Sequence, residues 1–295
     1  MKIKKLAAID IGSNAIRLLI QNVIEEPDKK TLFKKSSLIR VPVRLGQDSF
    51  TIGEISERNE ERMTNTMKAF RLLMDVNGVE DYMACATSAV REANNGYEIV
   101  EKIYGASGVK IEVIDGKKEA AIIASTDLKQ LIQTDQSYLY IDVGGGSTEL
   151  TLFAEGKIKL SKSFKIGTVR LLNNMVDESS WKSMEQWIRG NVQDNGPMSI
   201  IGSGGNINKL HKMSGRKEGE SLSYIWLNSQ YHFLQRMSYS DRITQLGLNP
   251  DRADVIIPAA KIFLSAAKWS GSKKIHVPKI GLSDGIIKTM YYSQK

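Results

Sequence analysis

The stretch Ser137-Tyr138-Leu139-Tyr140-Ile141-Asp142-Val143-Gly144-Gly145-Gly146-Ser147-Thr148-Glu149-Leu150-Thr151-Leu152-Phe153 decides the reading of this chain. An apolar run ends on an aspartate, three glycines and two hydroxyl residues follow, and a second apolar run returns. Two such runs about a short Gly/Ser stretch read as strand, turn, strand. Three consecutive glycines carry a high entropic cost, and close approach of the backbone to a phosphate is one reason to keep them. Ser147 and Thr148 add donors to the turn. Asp142 and Glu149 flank it with carboxylates, which suit a hydrated metal ion better than a bare anion.

The unit has an earlier echo. Leu6 to Ile24 reads as an apolar strand, the turn Asp10-Ile11-Gly12-Ser13-Asn14, and a second apolar strand. A turn of glycine and small polar residues presents N–H groups and hydroxyls to an anion, although Gly-Ser-Asn is also ordinary turn chemistry. The Asp at the strand end is placed to hold a water or a Mg²⁺ ion. A unit repeated at this separation points to two related domains facing each other. Their boundary is expected near residue 125, giving 1–125 and 126–295, with no linker composition to mark it. The C-terminal helix, about 283–295, is a candidate to pack back on the first domain.

Outward from these turns, 38–43 reads as a further strand. From Ser56 to about Asn77 the period changes, and Met63, Met67, Phe70, Leu73 and Met74 fall on one helical face. Ser56 is the expected N-cap and Gly78 the stop. Residues 82–86 read as a short buried strand, and Thr87-Ser88 open a helix. A strand at 109–114 and a helix from Lys117 to about Gln133 follow. Strands are expected at 157–165 and 198–203, and helices near 168–176, at 180–190 and through most of 206–270. A strand at 275–278 and a helix at 283–292 close the chain. Alternation of β-rich and α-rich segments argues for α/β layers.

The 295 residues allow two domains of ordinary size. At 41% hydrophobic and 25% charged, the composition excludes disordered and fibrous classes. No apolar run reaches membrane-span length. At the N-terminus the apolar run stops at Asp10, too short for a signal core, so it reads as a buried strand with a basic start. Cys85 is alone in a small apolar stretch, which excludes an intramolecular disulfide and reads as packing in a reducing compartment. The three histidines are scattered, with no zinc spacing. The formal net charge of +8 suits a polyanionic partner, although each lysine cluster taken alone also reads as a solvated face.

Gly202-Ser203-Gly204-Gly205-Asn206 is a third glycine-rich turn, from a strand into a helix, and reads as an anion site or as a tight turn. With it, the motifs fall into a family order. They are Asp10 to Asn14, Arg44-Leu45-Gly46, Ala86-Thr87-Ser88-Ala89-Val90-Arg91, Gly116-Lys117-Lys118-Glu119-Ala120, Asp142 to Glu149, Gly167-Thr168-Val169-Arg170-Leu171, Gly202 to Gly205, and Arg252-Ala253-Asp254. In this order, over nearly the whole chain, they resemble the exopolyphosphatase and guanosine pentaphosphate phosphatase (Ppx/GppA) family. The two Asp-x-Gly turns look like the phosphate hairpins of the wider actin, Hsp70 and sugar-kinase superfamily.

The resemblance implies an α/β fold of two actin-like (ribonuclease H-like) ATPase domains facing a central cleft. It implies Glu119 as the catalytic carboxylate that orients water. Phosphate ligands would be Ser13, Asn14, Arg91, Gly144, Gly145, Gly146, Ser147 and Thr148; Asp142, Glu149 and Asp10 would hold Mg²⁺ or another divalent cation, with K⁺ a candidate activator. Arg44 and Arg17 are weaker candidates, and Arg170 reads as structural. The chemistry stands apart from the family: phosphoanhydride hydrolysis needs an oriented water and charge neutralisation. Read alone, Glu119 is a first-turn helix residue.

Two departures stand out. The near-terminal Gly-x-x-Gly segment, which often carries an arginine, reads Gly281-Leu282-Ser283-Asp284-Gly285, and Lys118 occupies a place that is often acidic. Relatives with a further C-terminal helical region are associated with gripping long chains, and ending at Lys295 the chain looks like a short form. The expected activity is hydrolysis of the terminal phosphoanhydride of polyphosphate, with guanosine pentaphosphate as alternative substrate, in the cytoplasm. The expectation includes no membrane partner, no specific nucleic acid and a candidate homodimer. A kinase of the same superfamily and a non-catalytic polyphosphate binder are the competing readings.

Overall fold

A computed structural model describes residues 1–124, 126, 132, 136–192 and 198–294. The chain forms two compact units, one of Met1–Thr126 with Gly281–Lys295 and the other of Asp127–Ile280. The boundary expected at residue 125 lies outside the described residues.

In the first unit, the hairpin read around the Asp10 turn is β1 (Lys2–Ile11), which starts before the apolar run, and β2 (Ile16–Glu25), which matches its run within one residue. The third strand, β3 (Leu32–Val41), starts well before the expected 38. Its alternation is broken because the pairing shifts between Ile20 and Gln21, leaving Ser36 as an extra residue opposite β2. Such a bulge hides the period of two from a sequence reading. Pro42, which has no N–H to donate, follows the last paired residue. Then come α1 (Leu45–Thr51), α2 (Glu57–Val76), β4 (Asp81–Ala86), α3 (Ser88–Glu92), α4 (Gly96–Ser107), β5 (Ile111–Val113) and α5 (Gly116–Ala124). Much of the remainder of the helix expected to reach Gln133 lies outside the described residues.

Helix α2 follows the reading closely. The Ser56 side chain accepts the Asn59 N–H as N-cap, and Met63, Met67, Phe70 and Met74 are buried. Each such side chain contributes roughly 1.5–3 kcal/mol through burial. Leu73, at the edge of the stripe, is half-buried.

The second unit contains β6 (Ser137–Val143), β7 (Thr148–Ala154), β8 (Lys157–Phe164), α6 (Thr168–Leu172), α7 (Glu178–Val192), β9 (Met198–Ser203), α8 (Gly205–Met213), β10 (Leu222–Ser223), α9 (Tyr224–Arg236), α10 (Tyr239–Thr244), α11 (Pro250–Ala253), α12 (Ile256–Ser270) and β11 (Lys274–His276). The strand orders of the two sheets repeat. The first is β3-β2-β1-β4-β5, and the second is β8-β7-β6-β9-β11 with β10 added at its edge. In each, the first three strands pair antiparallel and the next two join in parallel. The echo seen in the sequence is therefore a repeat of topology as well as of a turn.

The last helix, α13 (Leu282–Ser293), packs on β1, β2, β4 and α5 in the first unit. Asp284, the departure noted in the sequence, anchors it. Its carboxylate accepts the Gly281 N–H at 3.1 Å and the Gln21 side chain at 2.9 Å. At the far end the Tyr291 hydroxyl meets Glu25 and lies 3.2 Å from the Thr31 hydroxyl. Among the described residues no helix is long and apolar enough to cross a membrane.

Candidate active site

Each Asp-x-Gly turn is held from behind by the segment that follows the third strand of its sheet. In the second unit the N–H groups of Thr168 and Val169 donate to the carbonyls of Gly144 and Gly145, at 3.0 and 2.9 Å. The Arg170 Nε donates to the Gly146 carbonyl at 2.7 Å. A Cβ on Gly167 would overlap the backbone of Gly145 and Gly146, which is why a glycine stands there. Among the described residues no peptide bond is cis, so each carbonyl points opposite to the N–H of the next residue. With the carbonyls of 144–146 turned toward α6, the N–H dipoles of Gly145, Gly146 and Ser147 point away from it. That is the polarity of an anion cradle.

The first unit repeats the device. The N–H groups of Arg44 and Gly46 donate to the carbonyls of Asn14 and Ser13, at 3.0 and 2.8 Å. Arg44 takes φ 63°, a left-handed conformation rare for a residue with a Cβ. The Arg44-Leu45-Gly46 and Gly167-Thr168-Val169-Arg170-Leu171 motifs are thus two versions of one brace, and Arg170 is structural as read. The Ser13 hydroxyl lies 3.0 Å from that of Ser88 in α3.

The acids at the two turns differ in their partners. Asp142 stands opposite Glu149 on β7 and beside Ser203 on β9. Residues directly opposite in an antiparallel pair share a face, so the two carboxylates share one. Glu149 is buried, and its Oε1 accepts the hydroxyls of Ser147 at 2.6 Å and Ser163 at 2.9 Å. At the equivalent place in the first unit Asp10 stands opposite Arg17, and the Arg17 Nη1 donates to Asp10 at 2.7 Å. One turn carries two acids and the other an ion pair. Thr148 is fully buried and its hydroxyl donates to the Ile166 carbonyl at 2.5 Å.

Glu119 lies in the first turn of α5 and is 8% exposed. The Asp115 carboxylate accepts the Lys118 N–H at 2.7 Å and caps this helix. Arg91, on α3, donates from Nη1 to the Ile114 carbonyl at 2.5 Å, immediately before that cap. Arg91 and Glu119 are thereby linked through the backbone that opens α5. Lys118, at the place often acidic, pairs with Glu112. Cys85 is buried beside Asp10 on the neighbouring strand. Burial, reinforced by Glu112 and Asp10, pushes its thiol up to about 12, which suits packing and not attack.

Sequence reading missed Ser163, which holds Glu149. Nothing local marks it: only the register of β7 and β8 brings Glu149 opposite Ser163. It also missed Ser88 as the partner of Ser13.

Among the described residues no three His, Cys, Asp or Glu side chains gather into a metal cage. Mg²⁺ commonly takes one or two carboxylates and completes its shell with water and substrate phosphate oxygens. The Asp142 and Glu149 pair fits that pattern.

The profile of the Ppx/GppA phosphatase family matches residues 23–294. Exopolyphosphatase 1 of Mycobacterium leprae is 21% identical over 303 residues, covering 96% of this chain and 88% of that protein. A bifunctional 3-dehydroquinate synthase/phosphatase of Fusobacterium nucleatum is 29% identical over 302 residues. That alignment covers 92% of this chain but spans only 44% of the relative. An exopolyphosphatase structure from Cytophaga hutchinsonii matches with a TM-score of 0.85 at 25% identity, over 98% of both chains. The Aquifex aeolicus family member matches with a TM-score of 0.77 at 24% identity, over 100% of this chain and 99% of that one, a likeness of fold. The expected α/β class is the one found, with two units whose sheets repeat one strand order, and the fold is that of the solved family members. A profile matched along nearly the whole chain, and a fold shared with solved members over almost their full length, make this protein a member of the Ppx/GppA phosphatase family.

Proposed function

We propose that the chain is an exopolyphosphatase that releases the terminal phosphate of inorganic polyphosphate by hydrolysis. The observation that carries this reading is the paired brace: two glycine turns with their carbonyls held backwards and their N–H groups turned to the opposite side. Donors fixed in advance stabilise charge that develops on a transferring phosphoryl group. Ser13, Asn14, Gly144, Gly145, Gly146 and Ser147 are the proposed phosphate ligands, with Arg91 as a planar cationic donor. Glu119 is the proposed group that orients the attacking water and takes its proton. Asp142 and Glu149 would hold a divalent cation such as Mg²⁺, which supplies charge neutralisation on the phosphate oxygens.

The two hydroxyls on Glu149 Oε1 hold that carboxylate in one orientation. Asp10, expected as a metal ligand, is paired with Arg17, so the proposed cation is assigned to Asp142 and Glu149. The relatives named exopolyphosphatase support the substrate class. The lone buried thiol agrees with a cytoplasmic location.

The test is phosphate release from long-chain polyphosphate, tripolyphosphate, guanosine pentaphosphate and ATP, with Mg²⁺ and with a chelator. Glu119→Gln is assayed in parallel. The expected result is Mg²⁺-dependent release from polyphosphate that falls by about 10²–10⁴-fold in the variant, without loss of thermal stability. Faster release from guanosine pentaphosphate reassigns the substrate. Undiminished release by Glu119→Gln removes Glu119 from the mechanism.

A further inference from the structure

The segment that braces the first glycine turn must itself be held. Between β3 and α1 the chain passes through Pro42, Val43 and Arg44, outside any helix or strand. Pro42 has no N–H to donate, and Arg44 takes φ 63°. A residue with a Cβ persists in that left-handed region only where its surroundings over-determine it. Yet this segment carries the Arg44 N–H that donates to the Asn14 carbonyl. Arg62, in the second turn of α2, supplies the hold. Its Nη1 donates to the Val43 carbonyl at 2.9 Å and its Nη2 to the Pro42 carbonyl at 2.7 Å. The same Nη1 donates to Asn59 Oδ1 at 2.9 Å. Asn59 is buried, and its Nδ2 donates to Asp48 in α1 at 2.7 Å. Asp48 also accepts the Ser56 N–H and hydroxyl, at 3.1 and 2.5 Å. The guanidinium is thus fixed from behind by α1 and the start of α2, and it grips two successive carbonyls in front. A planar fork does this, and the point charge of a lysine does not reproduce it.

The Val43 carbonyl and the Arg44 N–H belong to one peptide group. That bond is not cis, so the two point in opposite directions. Arg62 holds the carbonyl end, and the N–H end donates to the Asn14 carbonyl. Hydrogen bonds linked in this way polarise and strengthen one another. In the second unit the matching arginine acts without an intermediary, Arg170 Nε donating straight to the Gly146 carbonyl. The first unit sets its arginine one peptide further back.

We infer that Arg62 is a positioning residue for phosphoryl transfer, which fixes the first phosphate turn through the peptide between Val43 and Arg44. The inference rests on the proposed reading of that turn as a phosphate site and deepens it. Arg62 acts through the brace: with the peptide fixed, Ser13 and Asn14 keep one aim, and without it they do not.

The test compares Arg62→Met with Arg58→Met, which removes the same charge from an exposed position one turn earlier on α2. Amide hydrogen exchange reads the Arg44 and Gly46 N–H groups of the brace, and kcat is read for phosphate release from polyphosphate at a temperature where every protein is folded. In Arg62→Met the brace amides should exchange about tenfold faster while those of the α2 interior do not change. Its kcat should fall about tenfold, a part of the roughly 100-fold that a 1 Å misplacement costs. Arg58→Met should match wild type in both. The double variant Arg62→Met/Gly46→Ala should turn over about as slowly as the slower single variant, because both act through one brace, whereas independent sites multiply their losses. Should Arg62→Met not fold, Arg62→Lys carries the test, with a smaller loss of kcat and the same local exchange. Unchanged exchange at Arg44 and Gly46, normal kcat despite faster exchange, equal losses in Arg58→Met, or multiplied losses in the double variant each overturn the inference. Wild-type protein that releases no phosphate removes the exopolyphosphatase reading alone, and the exchange result still decides whether Arg62 holds the turn.

Discussion

Gly46→Ala perturbs the first phosphate turn without replacing any proposed ligand. A Cβ at position 46 would stand 2.8 Å from Ser13 Cβ and 2.7 Å from Phe50 Cε2. Carbon pairs settle at about 3.5 Å or more, so the turn and the ring must each give by about 0.7–0.8 Å. Phe50 is buried, and Ser13 Cβ is fixed to the turn itself, so neither is the loose end of a flexible side chain. Overpacking of this kind costs about 1–3 kcal/mol, or roughly 2–4 °C of Tm for each kcal/mol in a domain near this size. The same movement displaces the Ser13 and Asn14 donors. A misplacement of about 1 Å costs about 100-fold in rate, so a loss of at least about tenfold in kcat is expected here. The assay is thermal melting followed by phosphate release at a temperature where both proteins are folded. Gly190→Ala is the control, since a Cβ there meets nothing within 4 Å and the position is inside a helix; it should hold or gain stability. If Gly46→Ala melts and turns over like wild type, the brace argument is wrong. If it melts early but turns over normally, Gly46 matters for packing and the first turn does not hold phosphate.

Asp284 offers a pH test. Burial raises its carboxyl above 3.8, opposed by Lys35 and by the hydrogen bonds from Gly281 and Gln21. A carboxyl raised in the folded state binds more protons folded than unfolded, so its stabilising contribution is present at low pH and is lost as pH rises through the folded value. The Tm of Asp284→Asn minus that of wild type should therefore be more positive at pH 7 than at pH 4, and a pH-independent difference between the two proteins sinks the idea. For Cys85, a thiol reagent at pH 8 should find no reactive group in the folded protein and one in guanidinium chloride. Rapid labelling of the folded protein contradicts its place in the buried strand.

The two strand–turn–strand units were legible because their signals are local. Apolar runs stop at Asp10 and Asp142, and the glycines that follow admit few readings other than a tight turn. Helix α2 was legible for the same reason: a cap at Ser56, a stripe at helical spacing, and Gly78 past its end. The start of β3 was not, because the bulge at Ser36 breaks the alternation on which a strand reading depends.

The sequence by itself determined the α/β class, the repeated turn and the absence of an intramolecular disulfide, and it singled out the residues proposed for phosphate chemistry. Tertiary structure alone decided what holds those residues. Gly46 and Gly167 look like any loop glycine until the turn they press against is in place. Ser163 is 14 residues from Glu149, and Gln21 is 263 from Asp284. Arg17 binds Asp10 because β2 runs back along β1, while the matching place in the second unit holds Glu149. Composition and period report what a residue prefers over a few neighbours. Which carbonyl a turn offers, and which charge stands opposite an acid, depend on strand register and chain crossings that no local pattern encodes.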